Sequence, residues 1–169
     1  MAHLGTTAVM ALLPAAQPLL ELAAGRDERV VRPGVPAHAA LLYPWLPADR
    51  VDGAELDRLR AALPAGRVPL RLDTVEQTGG FVGIPVPGLR DLATAVRTAY
   101  PERVPYGGRF GQDPPVHVTV ALDAEPGTAA DIARSIGPRL PIRTEVTALH
   151  AVALTATGWQ RLAALPLEP

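Results

Sequence analysis

The sequence predicts an α+β fold. It reads as a single domain over residues 1–169 made of two pseudo-symmetric lobes, with two antiparallel sheets around a central cleft and helices outside. Three observations point there. Short apolar runs of strand period alternate with stretches of helix period in both halves of the chain. Two of the strand-like runs carry a histidine on the face opposite their core residues. Those two runs lie about half a chain apart, as expected if each lobe supplies one histidine strand.

Taken in order, Thr6–Leu13 is a buried strand stopped by Pro14, and residues 15–25 form a helix with Leu19, Leu20 and Leu22 apolar and Gly25 at its end. The charged, then Pro/Gly-rich segment 26–36 is a surface loop containing Arg32, read as a solvated side chain. A second strand covers 37–43, and Pro44-Trp45-Leu46-Pro47 closes it. Asp52 is an N-cap with Glu55 at capping-box spacing, and the helix runs to Leu63 before Pro64-Ala65-Gly66. Val68–Asp73 alternates as a strand that Val75–Gln77 extends, and Thr78-Gly79-Gly80 turns it into a hairpin with Phe81–Val86. Residues 89–100 form an amphipathic helix with Leu89, Leu92, Val96 and Ala99 inward. The long loop 101–115 carries Tyr106, Arg109 and Phe110 and leads into the second histidine strand, and a loop of this length inside a compact domain points to function. Thr128 caps a helix over 129–137 that buries Ile132 and Ile136. Strands over 142–148 and 151–155 follow, with His150 between them in a structural or exposed role, and Gly158-Trp159 turns the chain into 160–165.

The two histidine strands carry the chemistry. In Val116-His117-Val118-Thr119-Val120, the valines share one face, and His117 and Thr119 share the other. In Ala37-His38-Ala39-Ala40-Leu41-Leu42-Tyr43, His38 and Ala40 share a face. Strict alternation puts Tyr43 on the opposite, core face unless a bulge turns it. Two imidazoles facing one cleft divide general-acid and general-base duties, because both titrate near neutrality.

With their flanks, Gly34-Val35-Pro36-Ala37-His38 through Leu42-Tyr43-Pro44-Trp45-Leu46-Pro47, and Pro105-Tyr106-Gly107-Gly108-Arg109-Phe110 followed by His117-Val118-Thr119-Val120-Ala121, these runs resemble the two-histidine phosphoesterase superfamily, in its 2′-5′ RNA ligase-like branch. The resemblance covers nearly the whole chain and implies the bilobal fold, with both motifs lining a central groove. It further implies a metal-independent phosphodiesterase without a cofactor, acting on 2′,3′-cyclic phosphates or 2′-5′ linkages. His38 and His117 would be acid and base, and Thr119 would hold a phosphoryl oxygen. The departure is Ala40, where that branch has Thr or Ser. Three readings of Ala40 stay open: a tolerated loss of rate, a chain that no longer handles phosphate, or a substitute donor in Tyr106, Arg109, Thr78 or a water.

Around these residues, Arg109 is the expected anion contact, because a guanidinium fork suits phosphate. Tyr43, adjacent to the first motif, is taken as a further substrate contact. Tyr106, with Trp45 and Phe110, is an alternative platform for a base, although such loop aromatics more often pack the loop down.

Composition narrows the field. The formal net charge of −1 argues against a broad nucleic-acid surface and leaves room for a small cationic pocket. All 16 basic residues are arginines, so a catalytic lysine is excluded, and the usage suggests a GC-rich bacterial genome. No cysteine is present, which removes thiol chemistry and cysteine-based zinc sites; no metal site is expected. The apolar N-terminus lacks a basic leader and is broken by Pro14 and Pro18, and no run is long enough for a membrane span, so a cytoplasmic protein is expected. The expected partner is a small molecule, a nucleotide or an RNA end. Two other readings stay open: the same scaffold turned to non-phosphate biosynthetic chemistry (an isomerase, cyclase or hydrolase), and a non-catalytic binding protein.

Overall fold

The computed structural model describes residues 3–168. Its strands are β1 (Thr7–Leu12), β2 (His38–Leu42), β3 (Val68–Leu72), β4 (Glu76–Thr78), β5 (Phe81–Pro85), β6 (His117–Ala121), β7 (Ile142–Val146), β8 (Ala148–Thr155) and β9 (Gly158–Pro166). Its helices are α1 (Gln17–Arg26), α2 (Gly53–Ala62), α3 (Arg90–Ala99) and α4 (Pro126–Ile136). The fold is α+β with two antiparallel sheets, but the strands divide unevenly between them. Seven lie in one sheet in the order β4-β5-β6-β2-β1-β8-β9, and β3 pairs with β7 in a small second one. Both histidine strands therefore sit side by side at the centre of the large sheet.

One supersecondary unit occurs twice in that sheet. In the first copy, β1 meets a short 3-10 turn opened by Pro14, then α1, then β2. In the second, β5 meets a turn opened by Pro87, then α3, then β6. The copies agree in detail. Leu13 has φ −126° and ψ 74°, and Val86 has φ −124° and ψ 72°. The Leu13 amide donates to the Ala37 carbonyl at 2.9 Å, and the Val86 amide donates to the Val116 carbonyl at 2.8 Å. Proline at the first helical position explains the shared turn, since it needs no amide partner there. The helices lie across the junction: α1 packs behind β6 and α3 behind β2.

The core forms on the helix side of the large sheet. Val9 and Ala11 of β1, Ala39 and Leu41 of β2, Ile84 of β5 and Val118 and Val120 of β6 are essentially inaccessible, packed against Leu19, Leu92, Val96 and Ile132 of the helices. Trp45, 1% exposed, packs edge-on against Tyr100 and is a core residue rather than a stacking platform.

Several expectations need amending. The hairpin around Thr78-Gly79-Gly80 exists, but its first arm is β4; β3 leaves to pair with β7, whose partner sequence lies far along the chain. The last helix begins at Pro126, two residues ahead of Thr128, because proline occupies its first position and Glu125 its N-cap. His150 lies within β8 rather than between strands. Asp52 caps α2 by accepting from the Glu55 amide at 2.9 Å, but Glu55 does not close the box: its carboxylate accepts from the Tyr100 hydroxyl at 3.2 Å.

Candidate functional site

β2 and β6 touch through one antiparallel pair, Ala39 opposite Val118. Continuing that register sets His38 opposite Thr119 and Ala40 opposite His117. All four side chains leave the sheet on the face away from the helices, and the two histidines are diagonal neighbours. Such neighbours have Cα atoms about 7–8 Å apart, within reach of side chains of this length.

Each imidazole is fixed in the same way. His38 Nδ1 lies 2.8 Å from the Pro36 carbonyl oxygen, and His117 Nδ1 lies 3.2 Å from that of Pro115. A carbonyl only accepts, so Nδ1 carries the hydrogen in both rings and Nε2 is the nitrogen left for other partners. There the likeness ends. His117 Nε2 meets the Glu76 carboxylate at 3.0 Å, so both its nitrogens face protein oxygens. Burial, and secondarily the Arg32 charge, hold His38 below its ordinary value despite the bond to Pro36, which favours the neutral ring. Arg32, read from sequence as a solvated loop side chain, is indeed exposed, yet its charge is felt at His38.

Two β-bulges shape the surroundings. In the β1–β2 ladder Val9 pairs with Leu42 and Met10 with Ala40, leaving Leu41 extra; in the β5–β6 ladder Val82 pairs with Ala121 and Gly83 with Thr119, leaving Val120 extra. Each bulge reverses the alternation. Leu42 and Ala121 thereby enter the core, whereas simple alternation puts Ala121 beside His117 and Thr119. The first bulge turns Tyr43 onto the histidine side, where it packs with Ala8, Met10, Leu12, Val152 and Trp159. The carbonyl of Leu41 is not abandoned: Arg97 Nε donates to it at 2.9 Å.

Tyr106 lies against Tyr43, ring centroids 5.8 Å apart, and its amide donates to the Tyr43 carbonyl. Its φ of 54° places a non-glycine residue in the left-handed region, a strain that the docking of its loop sustains. Burial raises the Tyr106 hydroxyl above its ordinary value. Phe110 lies edge-on to Tyr106 and is largely exposed, and Arg109 holds its guanidinium 5.2 Å above the Phe110 ring. The structure thus brings His38, His117, Thr119, Tyr43 and Tyr106 to one side of the sheet; Arg109 is exposed over Phe110, without an ion pair among the described residues. Thr78 cannot replace the hydroxyl missing at Ala40, because β4 lies on the far side of β5 and β6 from β2.

The groove is lopsided. On the first motif's side, Met10 stands beside Ala40 and is 1% exposed. On the second motif's side, the corresponding residue beside Thr119 is Gly83. Sequence reasoning missed Glu76, which reads as one more solvated charge. The signal for it was the hairpin register, which sets Glu76 opposite Gly83. Two surface cavities, of about 350 and 280 Å³, lie beside the prolines before β6 and beside Arg32; neither is lined by a histidine. Among the described residues, no three His, Cys, Asp or Glu side chains converge as a metal cluster, and no helix is long and apolar enough to cross a membrane.

The family model described as the 2′-5′ RNA ligase superfamily matches residues 13–157. Among solved structures, Escherichia coli LigT in its apo form superposes with a TM-score of 0.65 at 18% identity, covering 99% of this chain and 100% of that one. A crystal structure described as a phosphoesterase gives 0.62 at 18% identity with the same coverage. TT0787 of Thermus thermophilus gives 0.61 at 17% identity, covering 96% of this chain and 97% of that one. LigT has also been solved with NADP+, ATP and 3′-AMP. No curated protein sequence matches.

Proposed function

Because the chain belongs to the 2′-5′ RNA ligase superfamily, we propose that it is a phosphoesterase that opens a cyclic or 2′-5′ phosphodiester by paired-histidine acid/base catalysis. The observation that carries this reading is the shared face. Two imidazoles, each fixed through Nδ1 to the proline carbonyl two residues back, present Nε2 across the β2–β6 junction, with Thr119 opposite His38.

The asymmetry of the pair supports a division of roles. His38, whose burial and neighbouring Arg32 favour the neutral ring, serves as the general base, and His117, which faces a carboxylate, serves as the general acid. His38 Nε2 takes a proton from water as its oxygen bonds to phosphorus. The bond from phosphorus to the ribose 2′ or 3′ oxygen breaks, and His117 Nε2 delivers a proton to that oxygen. Thr119 donates to a non-bridging phosphoryl oxygen. Proton exchange with solvent then resets both rings. With a ribose hydroxyl in place of water, the same steps run towards ligation.

A nucleotide or RNA end is the substrate class this reading favours, in keeping with the nucleotides held by LigT. Tyr43 and Tyr106 would form the wall for its base or sugar, and Arg109 would swing from its place over Phe110 to the phosphate. The test is hydrolysis of a nucleoside 2′,3′-cyclic phosphate in the presence of a chelator. His38→Ala and His117→Ala should each lose at least about a hundredfold in kcat, the scale of a general acid or base; rates equal to wild type would reject the proposal.

Ala40 favours a second reading, in which the scaffold serves non-phosphate chemistry. A hydrogen bond to a charged group contributes about 1.5–3 kcal/mol, so Ala40→Thr should speed phosphodiester hydrolysis roughly ten- to a hundredfold if phosphate is the native substrate class. No gain, together with turnover of a non-phosphate compound, would favour the second reading.

A further inference from the structure

Nε2 is the one nitrogen of His117 that can meet a substrate, since Nδ1 is committed to Pro115. That atom is already engaged by a carboxylate. How Glu76 gets there follows from the sheet. Glu76 pairs with Gly83 across β4–β5, and Gly83 pairs with Thr119 across β5–β6, so the three share one row. With no side chain at Gly83, Glu76 reaches over β5 to the next strand. The Phe81 ring fills the remaining space: it lies edge-on to His117 at 6.0 Å, and a Cβ at Gly83 would strike it. No other charged side chain bonds to this imidazole among the described residues; β5 offers Phe81, Gly83 and Pro85, and β2 offers only His38 diagonally.

The first motif has the same geometry with the way closed. His150 of β8 occupies the position matching Glu76, opposite Met10. Met10 occupies the position matching Gly83, and its side chain fills the row. His150 Nδ1 accordingly stays buried without a partner, and Nε2 of His38 has no protein hydrogen bond among the described residues. One imidazole is held by a carboxylate and the other is left open.

Building on the phosphoesterase reading, we propose that Glu76 is a positioning residue: it holds Nε2 of His117 until substrate enters and then hands that nitrogen to the phosphoryl group. The Glu76 side chain is 53% exposed and that of His117 25%. Such a pair opens at small cost, and the freed carboxylate returns to water. The exchange is anion for anion. It keeps His117 supplied with an acceptor in both states and the ring aimed at the groove, and it sets substrate binding in competition with Glu76.

The test is a double-mutant cycle on the affinity for inorganic phosphate, with wild type, Glu76→Gln, His117→Gln and the double variant. Glu76→Gln should bind phosphate roughly three- to fivefold more tightly, the scale of an exposed ion pair that no longer has to open. That gain should vanish in the His117→Gln background. A gain that persists there would mark a long-range charge effect and overturn the proposal. So would an unchanged or weakened affinity in Glu76→Gln, or an absence of phosphate binding in both it and the wild type. The cycle is independent of turnover: failure to hydrolyse a cyclic phosphate would remove the catalytic reading while the phosphate data still decide the role of Glu76.

Discussion

At the scale of single residues, identical strand positions have been given opposite electrostatic settings. His38 is desolvated beside an arginine, and His117 is held between a carbonyl and a carboxylate. The first setting makes stability depend on pH. His38 is held below the ordinary histidine value of 6.5 in the folded protein, so as pH falls through that value the unfolded chain takes up a proton that the native one refuses. Stability must therefore drop between neutral pH and the lower native value, and level off beneath it. His150 is shifted the same way, by burial first and Arg161 second. Urea unfolding at about pH 7.5 and about pH 5, either side of that ordinary value, should show a smaller loss for His38→Gln than for wild type, and a smaller loss still when His150→Gln is added. An equal or larger loss in the single variant would contradict the assigned environment of His38.

At the scale of elements, the loop ahead of the first histidine strand is anchored by two glycines pressed together. Gly34 has φ +72° and Gly158 has φ +124°, and a Cβ on Gly158 would stand 2.5 Å from the Gly34 carbonyl oxygen. A Cβ on Gly34 would strike the Thr157 carbonyl. The contact ties the segment ahead of β2 to the β8–β9 hairpin, and the Trp159 amide reinforces it by donating to the Gly34 carbonyl. Gly158→Ala should cost about 1–3 kcal/mol in chemical denaturation, from the left-handed backbone and the collision together. The identity of both glycines is visible in the sequence, but their meeting is not: they lie more than a hundred residues apart.

At the scale of the whole molecule, Arg97 couples the two motifs. From α3 it donates to the bulge carbonyl Leu41 in β2, and its guanidinium bonds Asp113 at 2.7 Å and the Pro114 carbonyl at 2.9 Å, both in the segment that delivers His117. Its side chain is 10% exposed, so these bonds are made largely out of water. Arg97→Met keeps the stem and removes the donors. It should destabilise the fold by about 1–3 kcal/mol, the cost of leaving a buried carbonyl unsatisfied, and it should open residues 105–115 to limited proteolysis before global unfolding. A variant as stable and as resistant as wild type would show that the two strands hold their register without this side chain.

The chain on its own determined the features that depend on near neighbours. Period-two alternation put His38, His117 and Thr119 on the face away from the valines; Asp52 announced α2; and Leu92 and Val96 gave α3 its buried side. Each rests on residues a few positions apart, where backbone geometry alone decides which side chains share a face. The tertiary structure decided the rest. No local pattern marks Leu41 or Val120 as a bulge, because only the register of a neighbouring strand leaves a residue unpaired; yet those two residues turn Tyr43 to the groove and Ala121 to the core. The partnership of β3 with β7 and the reach of Glu76 over Gly83 to His117 likewise depend on which strands lie side by side. That is settled by burying one common apolar face, a global condition that no short stretch of sequence contains.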